Sequence, residues 1–225
     1  MASALVLFDI DGTLLRRAGP HHREALVDAI RAVARVETTT DGVETAGMLD
    51  RDILAVMMRQ AGMSVREIAR LMPDVVARAQ SLYVRRVPPL EKKVCPGVRG
   101  LLRRLAARDV VTGLVTGNLT RIGWRKMERA GLRHYFRYGA FAERARDRAG
   151  LVRLAIQEAR REGWIHRASA ISLVGDHPND VRAARANGIR AIAVGTGVVP
   201  LAELESHRPD VAIADLRALA IETLL

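Results

Sequence analysis

The sequence predicts an α/β protein: a doubly wound parallel sheet with a small all-helical domain inserted after its first strand. Three observations predict it. An apolar run at residues 4–10 ends in Asp11-Gly12, as a short buried strand would. Residues 16–90 then show helical spacing only, and beyond Pro96 strand-like and helix-like stretches alternate to the end of the chain. Alternating strands and helices require right-handed crossovers and hence a parallel sheet.

Within 16–90, Leu26, Val27, Ile30 and Val33 repeat at helical spacing, as do Ile53, Leu54, Met57 and Met58, with Met63 assigned to the same core pattern. Two further helical stretches are expected at 65–72 and 75–84. The block ends at Val87-Pro88-Pro89, a stiff break, and Cys95-Pro96-Gly97 is a second one. The remaining pattern predicts helix 98–107, strand 110–116, helix 119–130, strand 138–141, helix 151–161, strand 170–174, helix 181–186, strand 189–194 and strand 211–214. The α/β core is then 1–15 plus 91–225, Rossmann-like in its alternation, and the insert, a cap, is 16–90.

Composition bounds the function. Of 225 residues, 49% are hydrophobic and 27% charged, ordinary for a soluble globular protein. No apolar run approaches the ~20 residues of a membrane span, and the N-terminus shows neither a basic n-region nor a cleavage site, so the expected location is cytoplasmic. A single cysteine, Cys95, excludes an intramolecular disulfide. The net charge of +11 is spread singly or in pairs among acidic residues, and aromatics are only 4%. That argues against nucleic acid as a partner and for a mild attraction of small anions. Every basic residue other than Lys92, Lys93 and Lys126 is arginine. Nothing demands more than a monomer or weak dimer.

Open α/β sheets bind ligands outside the C-terminal ends of their strands, and four polar groups fall there. The first is Asp9-Ile10-Asp11-Gly12-Thr13: period 2 points Asp9 and Asp11 the same way, with Ile10 toward the core. Two carboxylates at one strand end call for a hard cation with oxygen ligands, and Mg²⁺ fits. Gly12 permits a sharp turn and Thr13 adds a hydroxyl. The second is Thr116-Gly117-Asn118, a phosphate seat if the next helix offers its N-terminal amides, or simply a helix cap. The third is Arg144, Arg146 and Arg148, one of which could offset charge on a phosphoryl group. The fourth is Gly175-Asp176-His177-Pro178-Asn179-Asp180, where Pro178 suits a first helical turn and Asp176 and Asp180 converge on it.

In this order the four groups resemble the haloacid-dehalogenase-like (HAD) hydrolase superfamily over nearly the whole chain. The resemblance implies that Asp9 attacks phosphorus and forms an aspartyl-phosphate, with Asp11 as general acid and base. It implies that Thr116 binds a phosphoryl oxygen, that Arg148 is the third-motif cation, and that Mg²⁺ is held by Asp9, Asp11 (through its carbonyl), Asp176 and Asp180. Gly12, Thr13, Gly117 and Asn118 would line the phosphate site. The position of the insert is similar to that of the helical cap in the phosphoglycolate-phosphatase-like branch. Gly47-Met48-Leu49-Asp50 stands where those relatives often carry Gly-Arg-Thr-Asp, so a basic and a polar group are missing and the pocket is expected to be more apolar, unless both residues are cap packing. The expected activity is hydrolysis of a small phosphorylated metabolite; alternatives are a sugar phosphomutase, a 2-haloacid dehalogenase (against which Asp11 argues) and a non-catalytic binding protein. His21 and His22 could face the cleft, but are expected to open an exposed helix; His177 could approach substrate, and Cys95 is expected to be a buried small residue rather than a nucleophile.

Overall fold

The structure, a computed structural model, describes residues 2–16 and 19–224. Six parallel strands form one sheet in the order β3-β2-β1-β4-β5-β6: β1 (Ala2–Phe8), β2 (Val110–Val115), β3 (Tyr138–Ala140), β4 (Ile165–Gly175), β5 (Arg190–Val194) and β6 (Val211–Ile213). β1 is central, pairing with β2 through Ala4↔Val110 to Phe8↔Leu114 and with β4 through Ala4↔Ala170 to Phe8↔Val174. Its residues are buried apart from Ser3, as both-face coverage requires. The chain winds from β1 to β3 in one direction and from β4 to β6 in the other, so the switch point lies beside the C-terminal end of β1.

Between β1 and β2 lie α1 (His21–Ala34), α2 (Asp50–Gln60) and α3 (Val65–Arg86), then α4 (Val98–Ala106). The two helical stretches expected at 65–72 and 75–84 are one helix that runs through Pro73. An interior proline costs ~3 kcal/mol. Here Ile68, Met72, Val75, Ala79, Leu82 and Tyr83 form one continuous buried stripe across it, and a capping box of Ser64 and Glu67 fixes the start. Burial of that stripe, at roughly 1.5–3 kcal/mol per large side chain, outweighs the proline. Met57 and Met58 are buried in the helical insert, whereas Met63 falls in the turn before α3.

The chain enters and leaves the insert through a two-strand neck. Leu15 and Val94 form an antiparallel bridge; the Cys95 N–H donates to the Leu14 carbonyl at 3.0 Å and the Arg16 N–H to that of Lys93 at 2.8 Å.

The remaining helices are α5 (Thr120–Arg129), α6 (Arg148–Arg161), α7 (Pro178–Ala186) and α8 (Leu201–Ser206). α6 starts three residues before its apolar periodicity because Asp147 caps it, accepting the Gly150 N–H at 2.7 Å. β4 begins earlier than its apolar run: residues 166–168 are exposed and hide the strand pattern. α8, six residues long, is too short to show a period. No helix among the described residues is long and apolar enough to cross a membrane.

Candidate active site

Strand β1 stops at Phe8, and the Asp9 N–H adds one more ladder bond to the Val174 carbonyl at 3.0 Å. The chain then turns: the Leu14 and Leu15 amides both donate to the Ile10 carbonyl at 2.9 Å, and Gly12 adopts φ +86°. Ile10 faces the core as expected. Asp9 and Asp11 both line one cleft, but their carboxylates take different partners.

The Asp9 carboxylate is 5% exposed and meets Asp176 and Asp180, also buried; each of the three offers a ligand atom within 4.8 Å of the others. Arg148 grips Asp9 with both ends of its guanidinium, Nη1 to Oδ1 at 3.0 Å and Nη2 to Oδ2 at 3.3 Å, and Nη1 also donates to the Val115 carbonyl at 3.2 Å. Arg148 Nε lies 3.2 Å from Asp180 Oδ1 but is not aimed along a hydrogen bond, and both atoms are otherwise unpartnered in the interior. Arg144 instead pairs with Glu158 at 2.6 Å and Arg146 is exposed, so the choice among the three arginines falls on Arg148, the first residue of α6.

Asp176 is cradled. Thr13 Oγ1 donates to its Oδ1 at 2.9 Å, and a Cβ on Gly12 or Gly197 would run into its carboxylate. The other Asp180 oxygen accepts the His177 N–H at 3.1 Å, closing a capping box on α7. Burial, and then the charges of Asp9 and Asp180, push the Asp176 carboxyl well above its ordinary value. Burial likewise pushes Asp180 up to about 7, although Arg148 pulls against it. Three carboxylates with one guanidinium leave two negative charges, which one divalent cation would balance. An all-oxygen donor set with an orphaned buried carboxylate oxygen fits a hard cation.

Asp11 belongs to a different cluster. Its carboxylate accepts from Lys126 Nζ at 2.7 and 2.6 Å and from Asn118 Nδ2 at 2.8 Å. Partial burial raises its pKa, but Lys126, His22 and Asn118 outweigh that and hold it below the ordinary carboxylate range. The buried Lys126 ammonium also donates to Asn118 Oδ1 at 2.6 Å and contacts His22 Nδ1 at 3.2 Å. His22 is not an exposed helix opener: its Nε2 lies 2.9 Å from Asp50 Oδ2 and its ring packs edge-on against Tyr83.

Thr116 and Asn118 sit at the cleft, Asn118 Nδ2 donating to Thr116 Oγ1 at 2.7 Å. Neither caps α5, and three amides at its start are taken by other side chains. Leu119 N–H donates to Asp50 at 2.8 Å, Thr120 N–H to Glu143 at 3.0 Å and Arg121 N–H to Gln80 at 2.7 Å. Asp50 and Gln80 come from the insert, so the helix start serves as its landing place. The Gly117 carbonyl accepts the Asp50 N–H at 2.8 Å, and a Cβ on Gly117 would strike the Met48 carbonyl. Leu49 is packed at the start of α2, whereas Met48 lines the cleft.

That cleft, about 1070 Å³, is lined by Asp9, Asp11, Thr116, Lys126, Arg148 and Asp176 at its floor. Leu26, Met48 and Ile53 form an apolar wall, with Arg16, Arg23, Lys92 and Lys93 beside it. A second cavity, about 700 Å³ and lined by Arg153, Arg160, Arg185 and Arg190, lies at the other end of the strands, away from these carboxylates.

Lys126, His22 and Asp50 carry no role in the sequence reading, where His22 opens a helix, Asp50 ends Gly47-Met48-Leu49-Asp50 and Lys126 is only one of three lysines. A signal for Lys126 was present: it follows Ile122 and Gly123 on the buried face of α5, where a lysine needs a partner.

The family model for haloacid dehalogenase-like hydrolases matches residues 4–188. The chain is 28% identical over 210 residues to a phosphoglycolate phosphatase of Synechococcus elongatus, covering 91% of this chain and 90% of that one. It is 27% identical over 223 residues to a phosphoglycolate phosphatase of Agrobacterium fabrum, covering 96% and 91%. The crystal structure of a β-phosphoglucomutase from Clostridium difficile superposes with a TM-score of 0.71 at 16% identity, covering 99% and 95%, a likeness of fold.

Proposed function

Because the chain belongs to the haloacid dehalogenase-like hydrolases, we propose that it is a Mg²⁺-dependent phosphohydrolase cleaving a small phosphate monoester. Asp9 is its nucleophile, Asp11 its general acid and base, and the helical insert of residues 16–90 its cap. The observation that carries this reading is the pairing of a cation-deficient carboxylate cluster around Asp9 with a separate, cation-matched carboxylate at Asp11 on the floor of one cleft. Asp9, Asp176 and Asp180, with the carbonyl of Asp11, would hold Mg²⁺, which supplies charge neutralisation for the incoming phosphoryl oxygens.

Arg148 holds Asp9 by both oxygens. Phosphoryl oxygens arriving at Arg148 and Thr116 would compete for that guanidinium and release an Asp9 oxygen to attack. Asp9 Oδ then bonds to phosphorus as the ester P–O bond breaks, and the departing oxygen takes a proton from Asp11, which must first have bound one because Lys126 holds it ionised at rest. Water next attacks the aspartyl-phosphate, Asp11 takes the water's proton, and the Asp9–phosphorus bond breaks to release phosphate. The docked insert keeps bulk water from the intermediate. Phosphoglycolate phosphatases among the relatives support a small anionic substrate. The cations Arg16, Arg23, Lys92 and Lys93 at the cleft offer the positive charge that position 48 lacks.

The test is phosphate release from p-nitrophenyl phosphate with and without Mg²⁺. Asp9→Asn and EDTA should each lower the rate by roughly 10⁴-fold or more, the scale of losing a nucleophile. Activity surviving either would sink the mechanism. Stable inorganic phosphate, rather than a rearranged sugar phosphate, separates hydrolysis from the mutase alternative.

A further inference from the structure

Lys126 is 1% exposed, and an ammonium in the interior must have its protons accepted. Four acceptor atoms surround it: both Asp11 oxygens and Asn118 Oδ1 from the core, and His22 Nδ1 from the insert. A ring that accepts at Nδ1 presents N–H at Nε2, and that nitrogen faces Asp50 Oδ2 at 2.9 Å. The same Asp50 oxygen accepts the Leu119 N–H at 2.8 Å. Leu119, the residue just before α5, and Lys126 are seven residues apart, about two helical turns. The polar chain therefore leaves α5 at Leu119, crosses the insert through Asp50 and His22, returns to α5 at Lys126 and ends on Asp11. The Tyr83 ring, 6.0 Å from the ammonium, adds a wall from α3.

We propose that Lys126 is the positioning residue for Asp11, and that His22 and Asp50 make its position depend on docking of the helical insert onto α5. With the insert lifted, Lys126 loses His22 and gains water, and Asp11 loses a fixed partner. With the insert seated, Lys126 and Asn118 hold the carboxylate with its remaining lone pairs toward the cleft, as a base that takes a proton from water must be held. The catalytic use of Asp11 rests on the phosphatase reading above; the docking role of Lys126 does not.

p-Nitrophenyl phosphate separates the steps, because its leaving group departs without a proton while the water step still needs Asp11. Lys126→Met should lower kcat by roughly 10²-fold, the usual worth of a general base, leave kcat/KM nearly unchanged, and produce a burst of nitrophenol as phosphoenzyme accumulates. His22→Leu should behave likewise and provides a second variant at a less buried side chain. His22→Gln, whose amide can both accept from Lys126 and donate to Asp50, should restore kcat. Hydrogen exchange at residues 47–52 and 119–121 should quicken in Lys126→Met and His22→Leu and not in His22→Gln. Equal losses of kcat and kcat/KM, or a His22→Gln no better than His22→Leu, would show a packing role only and overturn the proposal. If the wild-type chain releases no phosphate, the phosphatase reading fails by itself. Exchange then decides the docking role, and unchanged exchange in Lys126→Met refutes it.

Discussion

Asp9 and Asp11 are two residues apart, yet they inhabit opposite electrostatic conditions. Asp9 is buried with two further carboxylates against one arginine. Asp11, with its side chain 42% exposed, has a lysine to itself and an amide besides. The turn that follows Phe8 lies between the two conditions, with Ile10 buried in the core between the two acidic residues. A charge deficit in one cluster and a charge match in the other fit the division of work proposed above, a cation at Asp9 and proton exchange at Asp11.

The largest effect that could break this contrast concerns the cation. Mg²⁺ at a hundredfold excess over its Kd should raise Tm by roughly 5–10 °C, an increment lost in Asp176→Asn and retained in Asp11→Asn, measured by thermal shift. The increment should also grow with pH. Asp176 and Asp180 are raised above their unfolded value, Asp180 from 3.8 to about 7. A carboxyl raised in the folded state contributes stability below the unfolded value and loses it as pH rises through the folded one. The cation-free protein should therefore lose stability between about pH 4 and 7, and Mg²⁺ should matter more at pH 7.5 than at pH 5. Equal increments in the two variants, or at the two pH values, would remove the distinction between the clusters.

A smaller effect probes the turn between them. Gly12→Ala places a Cβ at φ +86° and against the Asp176 carboxylate. It should cost roughly 1–3 kcal/mol of stability in urea unfolding and weaken Mg²⁺ binding. A variant as stable as the parent would mean that the turn does not fix the two carboxylates. The smallest effect is at Cys95, whose Sγ lies 3.9 Å from the Gly12 carbonyl. Burial pushes this thiol up to about 11, with the charges of both Asp176 and Asp11 adding to the shift. Iodoacetamide at pH 8 should leave it unlabelled until the chain is unfolded; rapid labelling of the native protein would show an open loop.

Much of this was legible in the sequence, because strand ends and acidic motifs are local features. The alternation of strands and helices gave the parallel sheet, and the spacing around Asp9, Arg148, Asp176 and Asp180 brought those four together. The rest depended on contacts far apart in the chain. His22 and Lys126 are 104 residues apart and Asp50 and Leu119 are 69. A histidine opening a helix and an acid near a helix start look ordinary until the insert is laid on α5. The different partners of Asp9 and Asp11 were hidden for a different reason: a period of 2 gives the side a residue faces and not the groups it meets there. Pro73 misled in the opposite direction, because the buried stripe on both sides of it keeps one helix whole.

The narrow neck where Leu15 pairs with Val94 gives the molecule a modular character. The chain goes out and comes back at one point on the rim of the sheet, so the helical block is spliced in like a cassette, with the ladder of β1, β2 and β4 undisturbed beneath it. Exchange of that cassette between relatives, cut at the neck, would carry the apolar wall of the cleft along and leave its carboxylate floor behind. The residues that land on α5, Asp50 and His22 foremost, travel inside it, so it is their partners Leu119 and Lys126 that would have to match.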